Sequence, residues 1–278
     1  MQFKGYYINL GNCIERNNKM KQQLLESGIA EQYQRFEAIS GQGRPEHAQT
    51  KLTPGHLGCW LSHQELWAEA EKTNSHLHIM EDDAIIGNLL PTTLKSIELE
   101  DASWDLLFTD VYFHPSPSPE QFERLRRLKQ DFYNNRKITL VDLKNLSFTG
   151  TSSYLVNHRS ARKLIDLIDG KWNSNLTIDV YLQKLVAQGK IRAYVTIPFL
   201  STIGPENIVT TTGSQGPALL ALNAFRESWY YNSVPQDIYA RIKPCKCDTR
   251  TEPMLGIYLE LLRNVLGTIT NDINSENS

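Results

Sequence analysis

The stretch HLHIMEDD, residues His76–Asp83, is a short apolar run that ends in three consecutive acidic residues. Such a run predicts a buried strand, and α/β proteins bind their ligands at the carboxyl ends of the sheet strands. Hard divalent cations take oxygen ligands, and Mg²⁺ is usually held by one or two carboxylates together with the phosphates of a substrate. Glu81, Asp82 and Asp83 therefore predict a site for a metal-bound nucleotide. The alternative is a turn whose acidic side chains are only solvated.

The residues before this stretch predict an α/β fold. Phe3–Leu10 is rich in aromatic and β-branched residues and predicts a first buried strand. A polar segment with helical spacing of its apolar residues runs to Gly28, and a second strand is predicted at Tyr33–Ala38. Strand, helix and strand in this order open a βαβ unit with parallel strands. In the turn that follows, Gly41 either lets the backbone approach a ligand closely or serves only the turn.

Thr53-Pro54 predicts the start of a long helix that leads to the acidic stretch. A hydroxyl residue followed by proline at the first helical position is a strong helix start. Bulky apolar residues then recur at helical spacing and predict a face packed on the core. Ser62 and His63 lie in the middle of this helix, and we expect His63 to be a hydrogen-bonded structural residue.

Two further acidic residues lie at the ends of predicted elements. Asp110 follows a predicted strand at Asp105–Thr109. Asp179 lies in the first turn of a helix for which Thr177 is a candidate cap, and the helix dipole favours an acid there even without a functional role. A later strand is predicted at Ile191–Ile197.

Composition describes an ordinary globular chain. It has 278 residues, 40% hydrophobic and 22% charged, with a formal net charge of −2. This charge gives no electrostatic reason to expect a nucleic-acid partner. Four scattered cysteines form no disulfide framework, which is typical of a reducing compartment. With no signal-peptide pattern and no apolar run of about 18 residues, we expect a cytoplasmic protein, soluble or peripheral on the inner membrane.

Two segments are candidates for contact with an anionic surface. The first is a basic patch, which is either a solvated face or a contact for an anionic acceptor or membrane; it consists of Arg124, Arg126, Arg127, Lys129, Arg136 and Lys137. The second is an amphipathic helix predicted at Met254–Leu266, after several basic residues. Its apolar stripe packs on the body, forms a homodimer or lies on an anionic membrane surface.

Several segments, taken in order, carry a family resemblance. They are Tyr7–Leu10 with Arg16, Ala38–Gly41, Leu52–His63, Ile79–Asp83, Tyr154–Val156 with Ala161 and Leu164, and Asp179 with the helix and strand after it. This ordered set resembles glycosyltransferase family 25, the family of bacterial lipooligosaccharide galactosyltransferases and, more distantly, procollagen galactosyltransferases. The resemblance covers roughly Phe3 to Ile203.

The resemblance implies a fold and an activity. It implies a GT-A-like, Rossmann-like nucleotide-sugar transferase domain at residues 1–203, followed at 204–278 by a loop-rich acceptor or lid region and the amphipathic helix. The implied reaction moves galactose from UDP-galactose, with Mn²⁺ or Mg²⁺ and with inversion, to a saccharide hydroxyl of a lipooligosaccharide or lipopolysaccharide acceptor. Glu81 and Asp83 match the metal-binding acids of the family. The residues expected around the nucleotide are Asn9, Arg16, Ser40, Gly41, Ser62 and Asp82.

An inverting transfer needs a base that removes the proton of the acceptor hydroxyl. Asp179 is our first candidate because it lies at a strand-loop-helix junction and matches the family pattern. Asp110, at a strand end, is the competitor.

Three other functions remain open at this point. The donor could be another UDP-hexose such as UDP-glucose. A metal-dependent phosphoryl or nucleotidyl transferase would also use acids at a strand end, although the sequence lacks a Gly-x-x-x-x-Gly-Lys-Ser/Thr loop. A non-catalytic membrane-associated scaffold would use the basic patch and the last helix.

Overall fold

A computed structural model describes residues 3–96, 104–114, 118–204, 217–243, 255–263 and 265. Parts of the predicted loop-rich region at 204–278 lie outside these residues, and so do Cys245 and Cys247. In the described part of the chain, Cys13 and Cys59 are free thiols.

The centre of the molecule is a seven-stranded mixed sheet with the strand order β2-β1-β3-β9-β5-β10-β7. Strands β1, β2 and β3 are mutually parallel, and β5 and β10 form a second parallel pair. Between these groups, β9 is antiparallel to β3 and β5, and β7 is antiparallel to β10 at the edge. The strands are β1 (Phe3–Asn9), β2 (Tyr33–Glu37), β3 (His76–Glu81), β5 (Leu106–Phe108), β7 (Thr139–Asp142), β9 (Ser153–Val156) and β10 (Ala193–Ile197).

Two small antiparallel sheets complete the strand set. One pairs β4 (Ala84–Ile86) with β11 (Ser201–Ile203), and the other pairs β6 (Tyr112–Phe113) with β8 (Phe148–Thr149). The local sequence pattern of residues 84–99 suits a helical or irregular segment, but its first residues form the strand β4. The reason is tertiary, because the partner strand β11 lies far along the chain.

Eight α-helices between Ile14 and Ile242 lie around the sheet, counted over the described residues. They are α1 (Ile14–Glu26), α2 (Pro54–Thr73), α3 (Leu90–Ser96), α4 (Pro119–Asn135), α5 (Ala161–Ile168), α6 (Ile178–Ala187), α7 (Pro217–Glu227) and α8 (Pro235–Ile242). The Thr53 side chain caps α2 as the sequence predicts, accepting a hydrogen bond from the His56 backbone N–H.

Both faces of the sheet are buried, which explains the nearly continuous apolar runs of the central strands. Successive side chains of a strand point to opposite faces. Ile79 therefore joins a large core with α2, whereas Met80 joins a second core with α1 and α3. The opening βαβ unit and the mainly parallel α/β sheet are thus confirmed, and the whole is a Rossmann-like fold.

The apolar stripe of the last predicted helix is used inside the molecule. Residues 255–263 are helical, and Leu255, Tyr258, Leu262 and Val265 are at most 3% exposed within the main core. These four side chains therefore pack on the body of the molecule, which is the first of the three alternatives given for the stripe. The predicted boundary between two domains at residues 203 and 204 stays a prediction. Phe225 of α7, which follows this boundary, belongs to the same hydrophobic core as the residues before it.

The basic patch is partly neutralised. Arg126 and Arg127 both pair with Glu123 on α4. Lys129 is 3% exposed and donates to the Ser228 carbonyl oxygen, so it serves packing between α4 and the end of α7. No helix in the described part of the chain combines the length and apolar character that crossing a bilayer requires.

Candidate active site

A cleft of about 600 Å³ opens at the carboxyl edge of the parallel strands. This edge collects the ends of β1, β2, β3 and β5 and the start of the antiparallel strand β9. Five segments far apart in sequence therefore meet here. The residues used below that line the cleft are Arg16, Ser40, Gly41, Cys59, Ser62, His63, Glu81, Asp82, Asp83, Tyr112, Gly150, Thr151, Ser152, Asp179 and Arg226.

The acidic turn between β3 and β4 forms one wall, and its middle acid is held by the protein. Asp82 Oδ2 accepts a hydrogen bond from Asn9 Nδ2 at 2.7 Å, and its Oδ1 lies 3.2 Å from Arg16 Nη1. The side chain of Asn9 is 1% exposed and also accepts a hydrogen bond from Arg35 Nε at 2.9 Å. Asn9 was predicted to lie beside the nucleotide. In the structure it lies behind Asp82, and the polar groups of its side chain are all hydrogen-bonded within the protein.

Glu81 is supported from two other elements. Its Oε1 accepts a hydrogen bond from Thr151 Oγ1 at 2.8 Å and lies 3.5 Å from His63 Nε2 on α2. Although burial opposes ionisation, the His63 and Thr151 contacts outweigh it and lower the pKa of Glu81. The carboxylate is thus kept charged next to the cleft.

Asp83 behaves in the opposite way. Burial raises the pKa of its carboxyl group, and the neighbouring Glu81 and Asp82 carboxylates raise it further. The positive charges of Arg226 and Arg16 act against this but do not cancel it. The carboxyl groups of Glu81, Asp82 and Asp83 therefore lie close together without enough neighbouring positive charge to neutralise them.

The donor set fits a divalent cation. Glu81 and Asp83 offer carboxylate oxygens on the cleft wall, while Asp82 is engaged by Asn9 and Arg16. A bound cation would reverse the local electrostatics and lower the pKa of Asp83. Oxygen donors of this kind suit Mg²⁺ or Mn²⁺.

The opposite wall is the turn after β2, which packs tightly on the start of α2. A Cβ added at Gly41 would lie 2.1 Å from the Pro54 carbonyl oxygen, so only glycine allows this approach. Ser62 Oγ accepts a hydrogen bond from the Ile39 backbone N–H at 2.9 Å and donates to the Gly58 carbonyl oxygen at 2.7 Å. Ser62 therefore anchors the turn, and the exposed Ser40 side chain lies at its open side.

Asp179 lines the cleft from the start of α6. Its Oδ2 accepts a hydrogen bond from the Gly150 backbone N–H at 3.0 Å, and its Oδ1 accepts one from the Val180 backbone N–H at 2.9 Å. Gly150 has a φ of +99°, which favours glycine in the loop that approaches Asp179. The half-buried carboxylate is held rigidly and still borders the cleft.

Asp110 is placed differently from Asp179. It is fully buried, pairs with Arg226 and accepts a hydrogen bond from Ser152 Oγ at 2.9 Å. Both its oxygens are thereby engaged, and it is not among the residues that line the cleft.

Arg226 is the site residue that the sequence analysis missed. It comes from α7, is 2% exposed, and its guanidinium carbon lies 4.3 Å from the centre of the Tyr112 ring. Burial opposes its charge, but the Asp110 carboxylate and the Tyr112 hydroxyl together outweigh burial and raise the pKa of Arg226. No local sequence signal marked it, since one arginine in an amphipathic helix is usually solvated.

An α/β sheet with an acidic cleft at the carboxyl edge of its parallel strands is the architecture of a Rossmann-like glycosyltransferase. The sequence model of glycosyltransferase family 25, described as an LPS biosynthesis protein, matches residues 2–182, and the chain belongs to this family. Arg226 lies outside the matched region.

Two similar proteins are procollagen galactosyltransferases 1-B and 1-A of Xenopus laevis. Each is 25% identical over an alignment 185 residues long, and this alignment covers 58% of this chain. The chain covers only 28% of the length of these relatives.

Proposed function

We propose that the protein transfers galactose from UDP-galactose, with inversion, to a saccharide hydroxyl of a lipooligosaccharide or lipopolysaccharide acceptor. The observation that carries the proposal is the acidic turn Glu81–Asp83 on the wall of a cleft in a member of family 25. The choice of galactose is based on the relatives, which are called galactosyltransferases. The choice of acceptor is based on the family description, which refers to LPS biosynthesis.

The donor end of the cleft lies between the acidic turn and the turn after β2. Glu81 and Asp83 would hold a divalent cation, which when bound neutralises the diphosphate of the donor. Arg16 supplies a fixed positive charge beside them, held by Asp82 at 3.2 Å. Ser40 and the backbone around Gly41 offer polar groups to the nucleoside.

The acceptor end lies at Asp179, which we propose as the general base. Its carboxylate takes the proton of the acceptor hydroxyl while that oxygen bonds to the anomeric carbon and the bond from that carbon to the UDP oxygen breaks. Two backbone N–H groups fix the carboxylate, and its remaining lone pairs can receive the proton. Asp110 cannot serve in this way, because Arg226 and Ser152 occupy its oxygens.

Arg226 fixes the floor between these two ends. Its charge lowers the pKa of both Glu81 and Asp83, so it lies close enough to favour their ionised forms. Because Arg226 also donates to Ser152, it supports the segment that carries Thr151, the hydrogen-bond donor to Glu81.

The direct test is a donor screen. Purified protein is incubated with Mn²⁺, a lactose- or glucose-terminated acceptor, and UDP-galactose, UDP-glucose or UDP-N-acetylglucosamine in turn. We expect a galactosylated product by mass spectrometry, with a β-linkage by NMR because inversion of the α-linked donor gives that anomer. Transfer of glucose alone would overturn the donor assignment. Release of UDP without a glycan product would show hydrolysis instead of transfer.

A further inference from the structure

The cleft contains a second group of metal ligands, of a softer type than the acidic turn. Cys59, His63 and Glu81 each offer one ligand atom, and these atoms lie within 4.8 Å of one another. Cys59 and His63 are four residues apart on α2 and so share one face of the helix, which meets the end of β3 at Glu81. The proposed transfer gives no role to the thiol.

The distance between two of these atoms matches a tetrahedral metal site. With metal–ligand bonds of about 2.1 Å, a tetrahedral zinc ion separates nitrogen and oxygen ligands by about 3.4 Å. His63 Nε2 and Glu81 Oε1 are 3.5 Å apart. The Cys59 sulfur, the third ligand atom, lies within 4.8 Å of both.

The surroundings of His63 also suit a ligand. Its side chain is fully buried, and within the described residues Nε2 makes no hydrogen bond of normal length and faces Glu81 Oε1 at 3.5 Å. The other ring nitrogen, Nδ1, lies 2.7 Å from the Tyr154 hydroxyl, which also accepts from Trp67 Nε1 at 2.9 Å. Metal-binding histidines usually donate their second ring N–H to such a fixed acceptor, which orients the ring.

We propose that Cys59, His63 and Glu81 bind Zn²⁺, or another borderline divalent ion with affinity for sulfur, in the floor of the cleft. One sulfur, one nitrogen and one oxygen donor form a typical ligand set for zinc, whereas Mg²⁺ and Mn²⁺ prefer oxygen. Binding releases the thiol proton to solvent, so the ion is held by a thiolate. The fourth position faces the cleft and takes water or a polar group of a bound molecule.

One consequence rests on the proposed function. Glu81 belongs to both ligand sets, so zinc bound at Cys59 and His63 withdraws it from the cation that would accompany the donor. Zinc should therefore inhibit transfer in competition with Mn²⁺. Zinc binding itself requires no transferase activity.

Cobalt is the probe, because a thiolate ligand gives Co²⁺ a charge-transfer band in the near ultraviolet. The parent protein for the test is the full chain with Cys245→Ser and Cys247→Ser, which removes the other close pair of thiols. We expect one equivalent of Co²⁺ to produce the band and Zn²⁺ to abolish it. Adding Cys13→Ser should leave the band unchanged, since Cys13 lines the same cleft but lies outside the cluster. Adding Cys59→Ser should remove it.

A second variant tests the nitrogen ligand, with circular dichroism as the check on folding. His63→Gln should weaken zinc binding by more than the roughly 10–100-fold that loss of an outer-shell partner costs. A cobalt band that persists in the Cys59→Ser protein, or no band in the parent, would overturn the proposal. Should zinc bind as described while no sugar donor is used, the transferase assignment fails and the metal site stands.

Discussion

Asp179 is distinguished from the other acids of the cleft by two backbone hydrogen bonds and a free approach from solvent. Asp179→Asn keeps the size of the side chain and one of its two backbone hydrogen bonds, but it cannot accept a proton. We expect turnover to fall by about 10²–10⁴-fold, the usual loss for a general base, with donor affinity nearly unchanged.

Steady-state kinetics and calorimetry with UDP measure these two effects separately. Asp166→Asn is the matched control, because Asp166 is an exposed acid of α5 that pairs only with Arg162 in the described structure. Near-normal turnover of Asp179→Asn would remove Asp179 from the role of base.

Asp83 tests the other end of the cleft. Asp83→Ala removes one of the two proposed cation ligands, so Mn²⁺ should no longer strengthen UDP binding. Titration calorimetry with UDP, with Mn²⁺ and with EDTA, gives the difference in affinity. An Mn²⁺ effect equal to that of the unaltered protein would exclude Asp83 from the cation site.

At the scale of elements, the contact between the turn after β2 and α2 shapes the nucleotide side of the cleft. In Gly41→Ala the new methyl group would overlap the Pro54 carbonyl oxygen, so the turn must move. Overpacking of this kind costs about 1–3 kcal/mol, and we expect weaker UDP binding as well.

Gly43→Ala is the comparison for Gly41→Ala. An added Cβ there meets nothing within 4 Å, although the φ of +73° makes alanine strained. It should lower the free energy of unfolding by about 1–2 kcal/mol while leaving UDP affinity close to normal. Equal UDP affinities in the two variants would contradict the role given to the contact between the turn and α2.

The pair formed by Arg226 of α7 and Asp110 joins the C-terminal region to the sheet. Arg226→Met leaves the Asp110 carboxylate buried without its partner, which should destabilise the protein by about 3–5 kcal/mol. Adding Asp110→Asn should restore part of that loss, because the remaining group is then neutral. Chemical denaturation of the single and double variants measures both effects.

Arg241→Met is the control for Arg226→Met. Arg241 pairs with Glu227 at the surface of α8, where its side chain is 29% exposed, so its removal should cost no more than about 1 kcal/mol. Similar losses of unfolding free energy in Arg226→Met and Arg241→Met would show that the buried pair contributes no more to stability than the surface pair.

At the scale of the whole molecule, a buried chain of hydrogen bonds links the strands β2, β3 and β9 to Thr109, the residue that follows β5. The Tyr33 hydroxyl lies 2.5 Å from His78 Nδ1, His78 Nε2 lies 3.0 Å from Ser153 Oγ, and Thr109 Oγ1 donates to Ser153 Oγ at 2.6 Å. Burial lowers the pKa of His78 to about 3, so the ring is neutral in the folded protein.

Unfolding releases His78 into water, where its pKa is about 6.5, so the unfolded state binds more protons between these two values and stability rises with pH. From about pH 7.5 to about pH 5, His78 should cost about 2 kcal/mol of stability. Subtracting the curve of His78→Gln from that of the unaltered protein isolates this contribution from the acids. Parallel curves would contradict it.

The sequence predicts the local and periodic parts of this fold well. The βαβ opening, the Thr53 cap of α2 and the strand before the acids follow from patterns within about twenty residues. Local sequence patterns do not predict contacts between distant segments. The strand β4 pairs with the distant strand β11. The apolar stripe that begins at Leu255 packs in the core of the same molecule.

The same division applies to the candidate site. The acids Glu81, Asp83 and Asp179 were found because motifs and strand ends mark them, and the structure brings all three to one cleft. Arg226 was missed because its importance comes from Asp110, more than a hundred residues earlier. The ring contact with Tyr112 and the support of Glu81 by Thr151 are likewise products of folding.

The central claim is that the acidic turn holds a divalent cation and, through it, the diphosphate of a sugar nucleotide. A crystal structure with UDP and Mn²⁺, using the anomalous signal of manganese, tests it most directly. The account predicts manganese bonded to Glu81 or Asp83, with the UDP diphosphate beside it and near Arg16. Manganese and UDP bound outside this cleft, with those carboxylates facing only solvent, would contradict it.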